Sequence, residues 1–551
     1  MKSRAAGAKP SAMTTSAYES PAAAPHATAQ RTMIQCFEPA TRKKLGEVAV
    51  VSPAAVRERV ARAKKAQVEW ARTSFAQRKA VLGHILDHVL DHADELVEMI
   101  VRDAGKTREN AMLGEIWPVC EKIRATVNNG ESYLVPETRS SGLFVHKRAE
   151  VHWIPLGVIG IVSPWNYPLQ NLLGPTIPAL FAGNAVVLKA SEHVAWSSKR
   201  VQAIFDEALD RAGVSRDLVQ IVDGYAETGA ALVSSGVDKI IFTGSMENGK
   251  KVLAESAKTL TPVILELGGK DAFVVTEDAD IEVAAHAAMA GVFIAAGQNC
   301  LAAERFIVID SVYDAFVTRV VELTSALRQG SPLGSERVDI GAMVTPLQIE
   351  LVERLVDDAV RRGARALVGG KRVLAETGDY FAPTILVDVP EGAAILEEET
   401  FGPIMVILRA KDDDEAIRIA NSTPFGLSAT VISKSEERAR RYIKELVAGG
   451  TSINDFGLPY MAMDLPFGGV KGSGFGRLNG KEGLRACCNE KSVLLDRLPM
   501  GAPSKLYPIG TFDYDIARET IRSIYGRGAG KTVDGVSRLL RTAWSALRQR
   551  D

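Results

Sequence analysis

Cys300 closes the run GQNC (297–300), and Glu266 closes the strand-like run TPVILE before Gly268 and Gly269. Gly297 and Asn299 suit a tight, partly exposed loop, and a thiol there is nucleophilic even at a small ionised fraction. A thiolate added to a carbonyl carbon makes a tetrahedral adduct that can collapse to a thioester. Hydrolysing that thioester needs a base for water. A carboxylate such as Glu266 serves best when burial lifts its pKa toward neutrality. Taken singly, both residues have bland explanations: a small buried thiol in a core, and a glutamate at a turn.

Further clusters are SPWNYP (163–168), LKASE (188–192), FTGS (242–245), EEETFGP (397–403) and PFGGVKGSGFGR (466–477). The elements that must position them alternate. GVIGIVSP, NAVVLKA, LVQIVDG, KIIFTGS and TPVILELGG are apolar, β-branched runs. Between them lie amphipathic segments such as VAWSSKRVQAIFDEALDRAG and ENGKKVLAESA. Such alternation predicts parallel strands with crossover helices, and ligands at the carboxyl ends of the strands. A second α/β set runs from DAFVV to about residue 492. Residues 53–133 read as helical, with Leu82, Ile85, Leu86, Val89 and Leu96 on one stripe. GLFVHKRAEVHWIP reads as a hairpin with KRAE near its turn.

The chain has 551 residues, 66 Lys+Arg against 67 Asp+Glu, and 46% hydrophobic residues. That fits about three globular domains, or two large ones, and gives no basic footprint for nucleic acid. Five cysteines, odd in number and scattered, read as reduced thiols in a cytoplasm. No stretch reaches the ~18 apolar residues of a membrane span. Residues 1–30 read as disordered, with a transit peptide as the alternative.

Together and in this order, the seven clusters resemble the NAD(P)-dependent aldehyde dehydrogenase superfamily, over residues 34–496. The stretch NYPLQNLLGPTIPALFAGNAVVLKASEHVAWSS is similar to a branch found in fungi and plants. The resemblance implies two doubly wound α/β domains, one for cofactor and one catalytic, plus a β-strand oligomerisation arm. It places the NAD-binding domain at 31–141 and 155–267, the catalytic domain at 268–483 and the arm at 142–154 and 484–497. A C-terminal extension follows at 498–551. Cys300 is then the nucleophile and Glu266 the base. Asn166, otherwise an Asx-turn residue, donates with the Cys300 N–H to the oxyanion. Retention of Glu266 implies a free acid product rather than transfer to coenzyme A.

For the cofactor, Lys189 and Glu192 match adenosine-ribose contacts. A carboxylate there repels a 2′-phosphate, which favours NAD, with NADP possible through Lys189. Gly244 and Ser245 open a helix facing the pyrophosphate, and Gly249 allows close approach. Trp165, Leu267, Glu399 and Phe401 complete the cofactor set, with Glu399 on the nicotinamide ribose and Phe401 by its ring. Phe467 lines the aldehyde tunnel. Gly174 stands where many relatives carry an aromatic, so a widened or reshaped tunnel is expected. No charged residue stands out as a reader of a substrate carboxylate. The partners implied are a small aldehyde and further copies of the chain, as a homodimer or homotetramer. The alternatives are an NADP-dependent semialdehyde dehydrogenase and a membrane-associated scaffold without turnover.

Three other patterns read as decoys. GRGAGKT (526–532) misses the P-loop spacing and follows a helix. His84, His88 and His92 recur on one helical face and read as solvated rather than as a metal site. Cys487 and Cys488 read as core or interface thiols. In the tail, Val533, Val536, Leu540, Trp544 and Leu547 form one apolar stripe beside Arg538, Arg541, Arg548 and Arg550. It could dock on protein or lie on an anionic membrane surface, making the protein peripheral. Gly535 interrupts the pattern.

Overall fold

A computed structural model of the chain describes residues 31–373, 378–497 and 507–548. The expected disorder of residues 1–30 lies outside the described residues. Every predicted strand of the alternating region forms. Their sheet has the spatial order Gly474–Phe475, Val263–Leu267, Lys239–Gly244, Val158–Val162, Ala185–Ala190, Val219–Asp223. All neighbours are parallel except Gly474–Phe475, which runs antiparallel along the edge and sets Gly474 opposite Glu266. Ala185–Ala190 is buried at every position, as expected of a central strand covered by helices on both faces.

A second sheet of seven strands has the order Arg365–Val368, Thr384–Val387, Ile404–Ala410, Ala303–Ile309, Asp271–Val275, Ser428–Ile432, Gly450–Ile453. Only Arg365–Val368 is antiparallel to its neighbour. Cys300 lies outside any strand, as its loop-forming neighbours suggest, just before Ala303–Ile309, and EEETFGP lies just before Ile404–Ala410. Glu266 and Thr243 instead end strands of the first sheet. The amino ends of one sheet thus meet the carboxyl ends of the other, and the site lies at that junction.

The N-terminal helical stripe is real but broken. Pro53–Trp70, Phe75–Asp91, Ala93–Ala104 and Trp117–Leu134 are separate helices, so Leu96 belongs to a different helix from Leu82. Each of the first two begins at a serine whose side chain accepts from the first turn, Ser52 from Ala55 N–H and Ser74 from Gln77 N–H. His88 is buried, not solvated. Its Nδ1 lies 2.8 Å from Glu207, and its ring stacks on His92. No cluster of metal-ligating side chains occurs among the described residues.

Residues 136–152, with the described residues 492–497 and 507–548, form a separate compact unit. It holds most of a three-stranded sheet ordered Cys488–Asp496, Lys147–Pro155, Glu137–Arg139. KRAE is not at a turn: Glu150 and Ala149 pair with Thr138 and Arg139 inside the strands. The turn falls earlier, where Gly142 takes φ +60° and Lys147 N–H donates to Phe144 C=O. Two helices follow, Asp513–Tyr525 and Ala529–Arg548. Gly535 does not break the second one. A β-carbon there would stand 2.8 Å from Ser523 Oγ, so the glycine lets the two helices approach closely. No helix among the described residues is long and apolar enough to cross a membrane.

Candidate active site

One cavity of about 450 Å³ opens at the junction of the sheets, a size suited to a small organic ligand. Its wall brings together Cys300, Glu266, Asn166, Trp165, Gly244, Ser245, Leu267, Glu399, Phe401 and Phe467. Lys189, Glu192, Gly249 and Gly174 are not part of that wall.

The loop before Cys300 is held in an unusual shape. Ala295, Ala296 and Gly297 all take positive φ, at 50°, 54° and 75°. Two consecutive alanines in the left-handed region are costly, about 1–3 kcal/mol each. At Gly297 a β-carbon would meet Gly402 C=O at 2.1 Å, so only glycine fits. Hydrogen bonds compensate. Ala295 N–H donates to Asn110, Gln298 Nε2 donates to Ala295 C=O, and Gln298 Oε1 accepts from Val344 N–H. Gln298 therefore staples the loop that carries Cys300, a role its position in GQNC did not reveal.

Asn166 is set by a similar framework. Its Oδ1 accepts from Asn171, and its Nδ2 donates to Gln298 C=O at 3.1 Å. An amide nitrogen carries two protons, so the fixed oxygen leaves one N–H for a ligand. Beneath it, Lys106 Nζ donates to Asn166 C=O at 2.7 Å and to Glu115 at 2.8 Å. Glu115 accepts in turn from Leu169 and Gln170 N–H, at the start of the helix Gln170–Phe181. Lys106 and Glu115 are both fully buried. Removing either charge would strand the other, a loss of about 3–5 kcal/mol.

A second buried pair shapes the segment around Glu399. Lys270 Nζ donates to Glu304 at 2.6 Å, and Glu304 accepts from Thr400 and Phe401 N–H. This holds Phe401 at φ 51° with its ring edge-on to Trp165, centroids 5.4 Å apart. Glu399 accepts from Gly269 N–H at 3.2 Å. A β-carbon at Gly268 would overlap the Glu399 carboxylate at 2.1 Å, so the Gly-Gly after Glu266 is required by close approach.

The electrostatics match base chemistry. Burial pushes the Glu266 carboxyl up to about 7, moderated by its contact with the Cys300 thiol. Its Oε1 is buried with no hydrogen-bond partner among the described residues. Burial, then the charge of Glu266, hold the Cys300 thiol well above its ordinary value. Burial likewise lifts Glu399 to about 8.

Ser245 caps the helix Met246–Ala257, accepting from Asn248 N–H, and Gly244 precedes it. A β-carbon at Gly249 would meet Leu267 at 2.6 Å, so this glycine lets helix and strand approach. Lys189 and Glu192 form an ion pair at 2.7 Å, and Lys189 helps hold Glu192 below the usual carboxylate range against its burial. At Gly174 the sequence suggested lost bulk. The structure fills that space with polar groups: Gln170 Nε2 lies 3.0 Å and Lys122 Nζ 3.9 Å from an ideal β-carbon.

The aldehyde dehydrogenase family model matches residues 26–493. The chain belongs to the aldehyde dehydrogenase family. It is 40% identical to an aldehyde dehydrogenase-like protein of Schizosaccharomyces pombe, over 90% of this chain and 95% of the relative. It is 34% identical to the 4,4′-diapolycopene aldehyde oxidase of a Methylomonas species, covering 90% and 92% of the two chains. Its fold superposes on an aldehyde dehydrogenase from Bacillus cereus solved as an NAD+ complex, with a TM-score of 0.80. That match is 30% identical and covers 84% of this chain and 93% of the other. The family fold, with two sheets of largely parallel strands, is the one described above. Aldehyde oxidation is the chemistry of this family.

Proposed function

We propose that this dehydrogenase oxidises an aldehyde bearing an apolar chain to the free carboxylic acid, through a thioester on Cys300 and with NAD as cofactor. The observation that carries the reading is the meeting of Cys300, Asn166 and a carboxylate of pKa about 7 on one cavity wall. Glu266 receives the Cys300 proton, and the thiolate adds to the aldehyde carbon. The free N–H of Asn166 and the Cys300 backbone N–H hold the oxyanion. As the carbonyl re-forms, hydride leaves and a thioester remains. Glu266, having passed its proton to solvent, takes one from water. The resulting hydroxide adds to the thioester, the C–S bond breaks, and the acid departs with Cys300 as thiolate.

The residues present fit NAD. Gly244 and Ser245 offer backbone N–H groups at a helix start beside the cavity, and Glu399 and Phe401 share that wall with Cys300. Glu192 stays ionised and would accept from ribose hydroxyls. NAD, when bound, supplies the acceptor for the hydride. The NAD+ complex of the similar Bacillus cereus enzyme supports this choice. Apolar wall residues Leu113, Pro118, Phe456, Met461 and Phe467 support a hydrophobic chain, as does similarity to an enzyme named for a polyene aldehyde. Purified protein given short, long-chain and aromatic aldehydes is expected to form NADH, fastest with the long chains. NAD is expected to give a higher kcat/KM than NADP. Absence of turnover with every aldehyde and both cofactors, in protein that still binds NAD, would overturn the reading.

Assembly and location extend the reading. The exposed strands of the Lys147–Pro155 sheet suit edge pairing between copies, giving a homodimer or homotetramer in a cytoplasm. In the second unit, Val533, Val536, Leu540 and Trp544 are exposed along one helix. Lys531, Arg538, Arg541 and Arg548 share that helix. An apolar stripe flanked by cations favours an anionic membrane surface. Full-length protein is expected to co-sediment with phosphatidylserine vesicles, and protein truncated after Leu498 is not. Equal binding would sink the idea.

A further inference from the structure

Lys122 is the least expected residue on the cavity wall. It belongs to the helix Trp117–Leu134, on the same stripe as the buried Val119 and Ile123. Only 6% of it is exposed. Among the described residues no side chain or carbonyl accepts a hydrogen bond from its ammonium group, and no carboxylate lies within ion-pair distance. The other buried lysines of this domain junction are fully partnered, Lys106 by Glu115 and Asn166 C=O, Lys270 by Glu304 and Thr400. The residue lines cavity space, so its cation is available to a ligand there.

On the main cavity its neighbours are donors, and no ion pair to it forms among the described residues. Lys122 Nζ and Gln170 Nε2 converge over Gly174, and Gln170 Nε2 is hydrogen-bonded to the Tyr460 hydroxyl. Tyr460 packs edge-on against Phe467, centroids 4.9 Å apart, and both belong with Cys300 to one apolar cluster. Contacts thus link the apolar cluster that holds Cys300 to the amide and the ammonium: Tyr460 belongs to that cluster and its hydroxyl meets Gln170, which converges with Lys122. The carboxylates of the cavity, Glu266 and Glu399, act on the Cys300 thiol. Asp464 lines a narrow adjoining cavity with Lys122, but it is engaged by the Tyr133 hydroxyl. Cys487, whose field Lys122 feels, is a thiol pushed up to about 11 and so uncharged.

We propose that Lys122, assisted by Gln170, is the specificity-determining residue that binds a carboxylate at the far end of the substrate. The substrate class is then an ω-oxo acid, with an aldehyde at one end of an apolar chain and a carboxylate at the other. This rests on the dehydrogenase reading and names its substrate. It also assigns a physical role to Gly174: an aromatic ring there would occupy the space where the two donors meet. Burial pulls the Lys122 ammonium down to about 8, so it remains mostly charged at neutral pH.

The test compares linear ω-oxo acids with their methyl esters, matched in length, in the native protein and in Lys122→Met. The native protein is expected to prefer the acid, and Lys122→Met to lower the acid-to-ester ratio of kcat/KM by about tenfold to a hundredfold, as loss of a charged hydrogen bond does. The loss should fall on KM for the acid, and Lys122→Arg should restore part of the ratio. A ratio that changes by less than about twofold, or an equal fall for acid and ester, overturns the proposal. A second readout does not depend on turnover. Calorimetric binding of the corresponding α,ω-dicarboxylic acid to Cys300→Ala is expected, and Cys300→Ala/Lys122→Met should weaken it by a similar factor. Lys122-dependent binding without any dehydrogenase activity would uphold the anion site and remove the oxidation reading. Binding that ignores Lys122 would remove the site alone.

Discussion

Cys300→Ala abolishes aldehyde-dependent NADH formation, with a fall in kcat of at least about 10⁴-fold, because no other thiol reaches the cavity and the covalent route closes entirely. Cys36, Cys487 and Cys488 are buried elsewhere, and Cys120 does not line the site. NAD affinity, followed by fluorescence titration, should change little, since the residues assigned to it are untouched. The variant should also keep its fold. The strained run from Ala295 to Gly297 is held by Gln298 and Asn110, not by the thiol. Steady-state rates on the same aldehyde series check this. Residual turnover above about 0.01 per cent of native, beyond that bound, would point to a different nucleophile or to direct hydride loss from a hydrate.

Glu266→Gln separates the two halves of the reaction. Hydride release leaves a thioester, and glutamine cannot take a proton from water. A rapid first turnover should be followed by a steady state slowed about 10²–10⁴-fold, the range for losing a general base. In the native protein, deacylation should rise with pH through about 7, where Glu266 ionises.

The same residue carries a stability signature of opposite sense. Its folded pKa lies above the ordinary carboxylate value, so between about 4.5 and 7 the native state binds more protons than the unfolded chain. Native stability from this group is therefore lost as pH rises across that window. A lift of this size corresponds to on the order of 3 kcal/mol. Glu266→Gln should accordingly melt higher than the native protein at pH 8 and at nearly the same temperature at pH 5. An active-site carboxylate kept for chemistry at the expense of stability is the behaviour expected here. Equal melting temperatures at both pH values would show that Glu266 is not desolvated in solution.

Much of this was readable in the residues. The β-branched runs from Gly157 to Leu267 specified their strands because a central parallel strand must be apolar on both faces, and only sequences such as AVVLKA satisfy that. Cys300, Glu266 and Asn166 stood out as candidates because the chemistry constrains residue type, and the fold brings all three to one cavity. What escaped was set by partners distant in sequence. Gln298 looked like spacer, yet it ties loop segments at 295, 342 and 344 together. Lys106 and Glu115 looked like ordinary helix charges, and only the fold buries them under Asn166. KRAE resembled a turn because it is charged, while the turn went to the Ser-Ser-Gly before it, where Gly142 could take positive φ. Lys122 did leave a signal, a lysine on an otherwise apolar helical stripe. One sequence alone does not distinguish such a residue from a snorkelling side chain. Gly174 was noticed as a missing ring, but the side chains that fill its place come from two helices.

The covalent claim is tested most directly by intact-protein and peptide mass spectrometry of Glu266→Gln, quenched in acid after mixing with NAD and a long-chain aldehyde. The account predicts one acyl group per chain, heavier than the protein by the aldehyde less two hydrogens, confined to the peptide containing Cys300 and absent from Cys300→Ala. Turnover without any adduct, or an adduct at another residue, would contradict it.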